Sequence, residues 1–330
     1  MRAIATFALA TAVWSFATAA DEPAAIEFGI ISTESSMNLR KGFEPIAADM
    51  EKAIGKKVNL FFAPDYTGVI EAMRFNKVHI GWFGNKSAIE CVDRANGEIF
   101  AQCIDKDGQP GYWSLIIVHK DCPLNTLDEL LAKGKDYTFA MGDPQSTSGF
   151  LIPSYYAFVK NGVSDPSKHF KNYRSGANHE ANALSVANKQ VDGATFNTEA
   201  MFHLQAKQPE AAAKLKAIWK SPLIASDPLI YRNDLPADLK QKIREFFISY
   251  GTTSEAKEKL APLKWSGFKP STNAQLLPFR QLGLLKDKAK IEGDDKLSAD
   301  EKATKLKDID AKLATLAEQM KQAEAQAAKN

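Results

Sequence analysis

Three consecutive hydroxyl residues, Ser146, Thr147 and Ser148, lie between a short apolar run and a second apolar run at helical spacing. The pattern predicts a strand that ends at a turn over residues 142–144 and a helix that begins among the hydroxyls. The first turn of a helix offers free backbone N–H groups and the positive end of the helix dipole, so hydroxyls there could bind a tetrahedral oxyanion. Such residues also serve as simple helix caps, and taken alone they leave both interpretations open.

The elements that must position this turn alternate between β-rich runs and helical patterns from residue 25 onward. The first half predicts strands at residues 26–31, 58–63 and 78–84, with helices at 37–54, 67–76 and 86–96. This alternation favours a parallel sheet with helices on its faces. Ligands bind such sheets at the carboxyl ends of the strands, where the loops of this chain carry hydroxyl, amide and phenol donors, Tyr66 among them.

A long predicted strand at residues 112–120 leads into a second lobe that repeats the pattern. Helices are predicted at residues 127–133, 151–160 and 179–188, and strands at 137–141 and 191–197. An extended segment at residues 219–232 then returns to the first lobe, followed by a helix at 237–250. We therefore predict lobe one at residues 21–118 and 226–285 and lobe two at 119–225, joined by two crossings around a cleft that closes by hinge motion.

The amino terminus is typical of a secretory signal peptide. A positive Arg2 precedes an apolar run over residues 3–16 and small residues at 17–20, which predicts export and cleavage near residue 20. The 42 basic and 40 acidic residues give a net charge of +2 with no basic cluster, which disfavours nucleic-acid binding. Cys91, Cys103 and Cys122 lack metal-ligand spacing and allow at most one internal disulfide. No metal or cofactor is expected.

The carboxyl-terminal residues 286–330 have a different composition from the rest of the chain. They contain ten Lys and ten acidic residues, with no aromatic residue and no Pro, so they cannot form a core of their own. Six apolar residues nevertheless recur at spacings of three and four: Leu306, Ile309, Leu313, Leu316, Met320 and Ala323. A charged helix is predicted that either lies on its own lobe or forms a homodimer.

Six separated motifs, taken in order, resemble the periplasmic phosphonate-binding proteins of bacterial phosphonate ABC importers (PhnD-type). The motifs lie at residues 28–35, 62–68, 73–78, 111–114, 142–150 and 219–224. The resemblance covers nearly the whole chain after residue 20. It implies a two-lobed α/β type II periplasmic binding protein in the periplasm. Such a protein captures alkylphosphonates, 2-aminoethylphosphonate prominent among them, and delivers them to an inner-membrane permease without catalysis.

The resemblance also implies roles for particular residues in this sequence. Glu199 and Asp227 match the carboxylates that bind the ammonium group of an aminoalkylphosphonate. The residues that match the phosphonate contacts are Tyr66, Tyr112, Ser146, Thr147, Ser148 and His179.

Three alternatives remain at this point. The chain could bind phosphite or phosphate on the same fold, or it could be a dimeric scaffold built on the carboxyl-terminal helix. Ser148, His179 and Asp227 could also be drawn as a hydrolase triad. The triad is disfavoured because Ser148 lacks the G-x-S-x-G context and Asp227 precedes a proline.

Overall fold

The computed structural model describes residues 22–327, which build two α/β lobes on separate sheets. The signal-peptide prediction for residues 1–20 lies outside the described residues. The first part of the chain forms, in order, β1 (Ala25–Ile30), α1 (Ser36–Ile54), β2 (Lys57–Phe62), α2 (Tyr66–Arg74), β3 (Ile80–Trp82), α3 (Asn85–Arg94) and β4 (Gly97–Asp105). Apart from β4, these are the elements that the hydrophobic periodicity predicts, with ends shifted by one or two residues.

The chain then crosses through β5 (Gly111–Tyr112) into the second lobe. This lobe contains β6 (Ser114–His119), α4 (Leu127–Ala132), β7 (Thr138–Gly142), α5 (Pro166–His169), β8 (Asn172–Ala177), α6 (His179–Ala187), β9 (Gly193–Asn197), α7 (Thr198–Lys207), α8 (Pro209–Ala212) and β10 (Leu215–Lys220). Between β7 and α5 run helical turns of π type at Thr147–Leu151 and Ser154–Phe158 and of 3-10 type at Val159–Asn161.

The return passage begins with β11 (Ile224–Ala225). It continues with β12 (Pro228–Arg232), α9 (Ala237–Ser249), α10 (Ser254–Leu260), β13 (Trp265–Pro270), α11 (Leu277–Glu292) and α12 (Ala299–Ala327). Short 3-10 turns lie at Gly134–Asp136, Ala261–Leu263 and Asn273–Leu276. Within residues 22–327, the structure contains no helix that is both long enough and apolar enough to cross a lipid bilayer.

Both sheets are mixed rather than parallel throughout. Lobe one has the strand order β13-β4-β12-β3-β1-β2, and lobe two has the order β10-β6-β9-β7-β8. In lobe one β1 pairs in parallel with β2 and β3, whereas β12 pairs antiparallel with β3 and β4. The prediction of a parallel sheet is therefore wrong for β12 and β13 in lobe one and for β6 in lobe two. A strand that enters a lobe from a crossing runs away from the cleft, opposite to its neighbours.

Helix α1 shows how the sequence builds the core of lobe one. Leu39, Phe43, Ile46 and Met50 recur at spacings of four, three and four residues, so they lie on one face of the helix. All four are at most 2% exposed and pack into the cluster that covers the sheet. Each contributes about 1.5–3 kcal/mol to folding by leaving water. This packing fixes the loop after β1 at the edge of the cleft.

The two crossings between the lobes lie side by side. Strands β5 and β11 pair antiparallel, with Gly111 opposite Ala225 and Tyr112 opposite Ile224. A Cβ atom on Gly111 would lie 1.8 Å from the carbonyl oxygen of Ile224, so this position requires glycine. Strand β6 already belongs to the sheet of lobe two, so the first crossing comes earlier in the chain than the predicted boundary after residue 118.

The carboxyl-terminal segment forms two helices that pack on the rest of the protein. Phe279 and Leu282 of α11 are buried against the crossings, in a cluster with Tyr112 and Ile224. In α12, Ile309 and Leu316 are 7% and 6% exposed, whereas Leu306, Leu313, Met320 and Ala323 are half-buried. Part of the apolar seam therefore packs within its own chain, and a homodimer through the other part stays a prediction.

Candidate ligand-binding cleft

A cavity between the two lobes collects the eight residues that the sequence singles out. It is lined by Tyr66, Tyr112, Ser146, Thr147, Ser148, His179, Glu199 and Asp227, together with other residues of both lobes. The cavity is small, with a volume of about 50 Å³. The site is therefore built for a small solute that both lobes enclose.

The hydroxyl turn presents three buried side chains whose oxygens are already used as acceptors. Ser146 caps the helical segment, because its Oγ accepts the backbone N–H of Gly149 at 2.9 Å. Thr147 Oγ1 accepts the backbone N–H of Lys86 at 2.9 Å, across the cleft. Ser148 Oγ accepts Nδ2–H of Asn197 at 2.9 Å. A hydroxyl that accepts one hydrogen bond keeps its own proton to donate, so the turn can offer three O–H donors to an anion.

His179 stands behind this turn as a neutral imidazole. Its Nε2 lies 3.5 Å from Ser146 Oγ and 3.4 Å from Ser148 Oγ, and 3.1 Å from Nδ2 of Asn197. Burial lowers the pKa of His179 to about 4, because the imidazolium would lose its hydration. The anion end of the cavity thus relies on neutral hydrogen-bond donors rather than on a cationic histidine.

Asn197 is a site residue that the sequence reasoning placed at the end of a buried strand but gave no role. Its Oδ1 accepts the N–H of Ala200 at 2.6 Å and caps α7, which leaves the amide group free to reach Ser148 and His179. The signal was present in the sequence, since an Asn that ends a buried strand and precedes a helix is a preferred cap. Its second role depends on Ser148 and on His179 of α6, which are distant in the sequence, and could not be read from sequence.

The two tyrosines link the ends of the cavity. Tyr66 begins α2, is 2% exposed, and donates its backbone N–H to Asp143 Oδ2 across the cleft at 3.2 Å. Burial, followed by the charge of Asp227, raises the pKa of Tyr66, so its hydroxyl stays protonated. Tyr112 donates its hydroxyl to Asp227 Oδ1 at 2.9 Å. In this structure Tyr112 therefore bonds the carboxylate end, although the resemblance assigns it to the phosphonate.

Glu199 and Asp227 form the acidic end of the cavity. Burial raises the pKa of both carboxyl groups, and the charge of Asp227 raises that of Glu199 further. Asp227 is 8% exposed, and the hydrogen bond from Tyr112 only partly offsets its desolvation. Because their pKa values are raised, the two carboxyl groups together retain about one proton near neutral pH. A cation bound between them would supply the missing counter-charge.

An apolar wall closes the lobe-one side of the cavity. It consists of Leu39, Phe43, Trp82, Leu263 and Trp265. The rings of Phe43, Trp82 and Trp265 pack with centroids 5.4–5.6 Å apart, which makes the wall rigid. This wall was not predicted, because its members come from α1, β3 and the region of β13, far apart in the sequence.

The hydrolase alternative does not fit this geometry. Ser148 Oγ lies 3.4 Å from His179 Nε2, but Asp227 is bonded to Tyr112 and not to the imidazole. Within residues 22–327, His179 Nδ1 has no hydrogen-bond partner, so no carboxylate orients the ring as a catalytic triad requires.

Comparison with known proteins decides the family. The family model described as ABC transporter, phosphonate, periplasmic substrate-binding protein matches residues 28–276. The chain belongs to this family. It is 52% identical over 307 residues to the phosphonates-binding periplasmic protein of Escherichia coli K12, covering 93% of this chain and 90% of that protein. Members of this family bind substrates for ABC transporters, so the chain is a binding protein and not an enzyme.

Two further relatives extend the comparison. A crystal structure of the binding component of an ABC phosphonate transporter from Pseudomonas aeruginosa superposes with a TM-score of 0.89 at 54% identity, covering 92% of this chain and all of that one. The phosphate-import protein PhnD of Mycolicibacterium smegmatis is 31% identical over 242 residues, or 70% of this chain and 73% of that protein. The structural match confirms the predicted two-lobed α/β fold of a type II periplasmic binding protein.

Proposed function

We propose that this protein captures 2-aminoethylphosphonate, or a close aminoalkyl analogue, in the interlobe cleft. One observation supports this most strongly. The carboxyl groups of Glu199, which is half-buried, and Asp227, which is buried, line one small interlobe cavity with the hydroxyl turn at residues 146–148. An anion end and a cation end in one small space fit a short zwitterion, which is bound by charge-assisted hydrogen bonds at each end.

At the anion end, the proposed contacts are the hydroxyls of Ser146, Thr147 and Ser148, with Tyr66 and His179. The hydroxyl groups are buried and neutral, and they hold a phosphonate by donating hydrogen bonds. Nε2 of His179 faces the Nδ2 amide of Asn197 as an acceptor, so we propose that His179 acts next to these hydroxyls without donating to the anion. At the other end Glu199 and Asp227 bind the ammonium group. Tyr112 donates its only hydroxyl proton to Asp227, so its oxygen is left to accept a hydrogen bond from the ammonium group rather than to bind the phosphonate.

Phosphate or phosphite is the competing ligand class, since one relative is a phosphate-import protein. A bare oxyanion would use the hydroxyl turn but would leave both carboxyl groups without a counter-charge. Burying that pair costs free energy that an oxyanion cannot offset. The acidic end therefore favours an aminoalkyl ligand over phosphate.

The proposal also includes the location of the protein and its partner. We infer that residues 1–20 direct export and that the mature protein works in the periplasm. The closed, ligand-bound form would deliver the phosphonate to an inner-membrane permease. Closure follows population shift, because a ligand that contacts both lobes favours the closed form by its differential affinity.

Isosteric neutral variants test the assignment of the ammonium site. Glu199→Gln and Asp227→Asn keep the shape of the cavity but remove its charge. We expect each to weaken binding of 2-aminoethylphosphonate by about tenfold to a hundredfold, the loss of one charge-assisted hydrogen bond, while methylphosphonate binding changes little. Isothermal titration calorimetry of the mature protein measures both. Equal losses for the two ligands would contradict the assignment.

A further inference from the structure

Two acidic side chains that also line this cavity bridge the lobes, and neither is among the residues assigned to the ligand above. Glu34 lies in the loop after β1 of lobe one and is 6% exposed. Its Oε2 accepts Nζ of Lys207 at 2.6 Å, and its Oε1 lies 3.2 Å from Nδ1 of His203. Lys207 and His203 both belong to α7 of lobe two. Burial opposes ionisation of Glu34, but the nearby imidazole of His203 and the bond from Lys207 hold its pKa below the ordinary value.

Glu180 makes the reciprocal bridge from lobe two to lobe one. Its Oε2 accepts the backbone N–H of Ser35 at 2.8 Å, at the start of α1. Its Oε1 accepts Nδ2–H of Asn38 at 3.2 Å, and Nε2–H of Gln208 within its own lobe at 2.8 Å. A carboxylate at the amino end of a 19-residue helix is stabilised by the free N–H groups and by the helix dipole.

A backbone hydrogen bond joins the same two segments. The N–H of His179 donates to the carbonyl oxygen of Thr33 at 3.1 Å. The loop after β1 is thus bonded to α6 and α7 at three consecutive residues, Thr33, Glu34 and Ser35. These bonds join groups of different lobes, so moving the lobes apart breaks them together.

We propose that Glu34 and Glu180 form an interlobe latch that sets the population of the closed form and so scales the affinity for every ligand by the same factor. The latch consists of these two carboxylates and their partners Lys207, Ser35 and Asn38. The proposal depends on ligand capture in this cleft, but not on which phosphonate is captured. Glu34 and Glu180 are positioning residues, since their carboxylate oxygens are engaged by protein donors of the opposite lobe.

The expected effect follows from population arithmetic. A ligand that binds only the closed form has an apparent affinity proportional to the closed fraction. Removing one charge-assisted bond lowers the ratio of closed to open form by about tenfold, so a ligand-free protein that populates both forms comparably loses most of its closed fraction. The latch therefore changes all affinities in parallel, whereas a ligand contact changes them selectively.

The test uses the mature full-length chain with Glu34→Gln, Glu180→Ala and the control Glu210→Gln, which neutralises an exposed acid on α8 of lobe two. Calorimetry gives the dissociation constants for 2-aminoethylphosphonate and methylphosphonate. We expect Glu34→Gln and Glu180→Ala to weaken both ligands by the same factor, about tenfold, and Glu210→Gln to leave both unchanged. A change in only one ligand, or no change in either, would overturn the latch.

A double-mutant cycle separates the latch from a general loss of folding. In a Lys207→Met background, Glu34→Gln should have a much smaller effect on affinity, because the bond it removes is already absent. Full additivity of the two substitutions would overturn the pairing.

Small-angle X-ray scattering of the ligand-free proteins tests the latch without any ligand. We expect the double variant Glu34→Gln with Glu180→Ala to have a larger radius of gyration than Glu210→Gln. An unchanged radius would refute the latch, while a failure of phosphonates to bind the unaltered protein would refute the proposed function instead.

Discussion

Binding of an aminoalkylphosphonate should release a proton from the carboxyl pair. Burial raises the pKa of Glu199 to about 8 and that of Asp227 to about 7, so the empty cavity retains about one proton near neutral pH. An ammonium group placed between the two carboxylates favours their charged forms and expels that proton. Because the empty site must lose a proton to bind, affinity rises as the pH rises through this range.

The size of the effect follows from proton linkage. Release of one proton changes the dissociation constant by about tenfold per pH unit, which is about 1.4 kcal/mol. The change should extend from about pH 6 to about pH 8 and flatten above the raised pKa values. Four neighbouring groups also influence the pKa values of this carboxyl pair. Tyr112 donates a hydrogen bond to Asp227, and the charges of His203, Lys264 and Asp105 act on Glu199.

The assay compares two ligands so that titrations of the protein's other groups cancel, and each affinity is corrected for the second ionisation of that ligand's own phosphonate group. Methylphosphonate shares the phosphonate group and its contacts with His179, but it has no ammonium. Calorimetry at each pH, in buffers of different ionisation enthalpy, gives the affinity ratio of the two ligands and the number of protons released. We expect the ratio to favour 2-aminoethylphosphonate increasingly as the pH rises. A ratio that stays constant between pH 6 and pH 8, or that falls, would refute the reasoning.

Two further predictions concern the turn and the crossings. Ser146→Ala removes both the cap on the N–H of Gly149 and one donor to the anion. Thermal denaturation should show that the free energy of unfolding falls by about 1 kcal/mol, and calorimetry should show weaker affinity for alkyl and aminoalkyl phosphonates alike. Unchanged affinity for both ligand classes would show that Ser146 does not contact the ligand. Gly111→Ala forces a Cβ to within 1.8 Å of the Ile224 carbonyl oxygen, so chemical denaturation should show that the free energy of unfolding falls by about 3 kcal/mol. The control Gly283→Ala lies in α11, where no atom is within 4 Å of the new Cβ. It should raise the free energy of unfolding by about 0.5 kcal/mol. Equal stabilities of these two glycine variants would show that the crossings tolerate a wider spacing.

Much of the fold could be predicted because its strands and helices have clear periodicities. Helix α9 and strand β9 lie within a residue or two of their predicted positions. Strand β4 was missed because Ala101, Gln102 and Cys103 at its centre have little β preference, and because it follows α3 after only two residues. The antiparallel strands could not be predicted, since strand direction depends on where the chain re-enters each lobe.

The sequence predicted which residues line the candidate site better than it predicted the hydrogen bonds between them. Residues that end strands or begin helices, such as Ser146 and Glu199, are recognisable because parallel strands present their carboxyl ends at one edge. The partner of Tyr112 was not predictable, because its bond to Asp227 joins two crossings that are 115 residues apart. Contacts between the lobes, including those of Glu34, depend on how the lobes close, and periodicity carries no information about that.

Parallel calorimetric titration of the ligand-free mature protein with 2-aminoethylphosphonate, methylphosphonate, phosphite and phosphate tests the central claim most directly. The hydroxyl turn together with the carboxyl pair predicts that 2-aminoethylphosphonate binds more tightly than the other three. Tightest binding of phosphate or phosphite would contradict the roles of Glu199 and Asp227. The protein would then still belong to the same family, but it would recognise only the oxyanion.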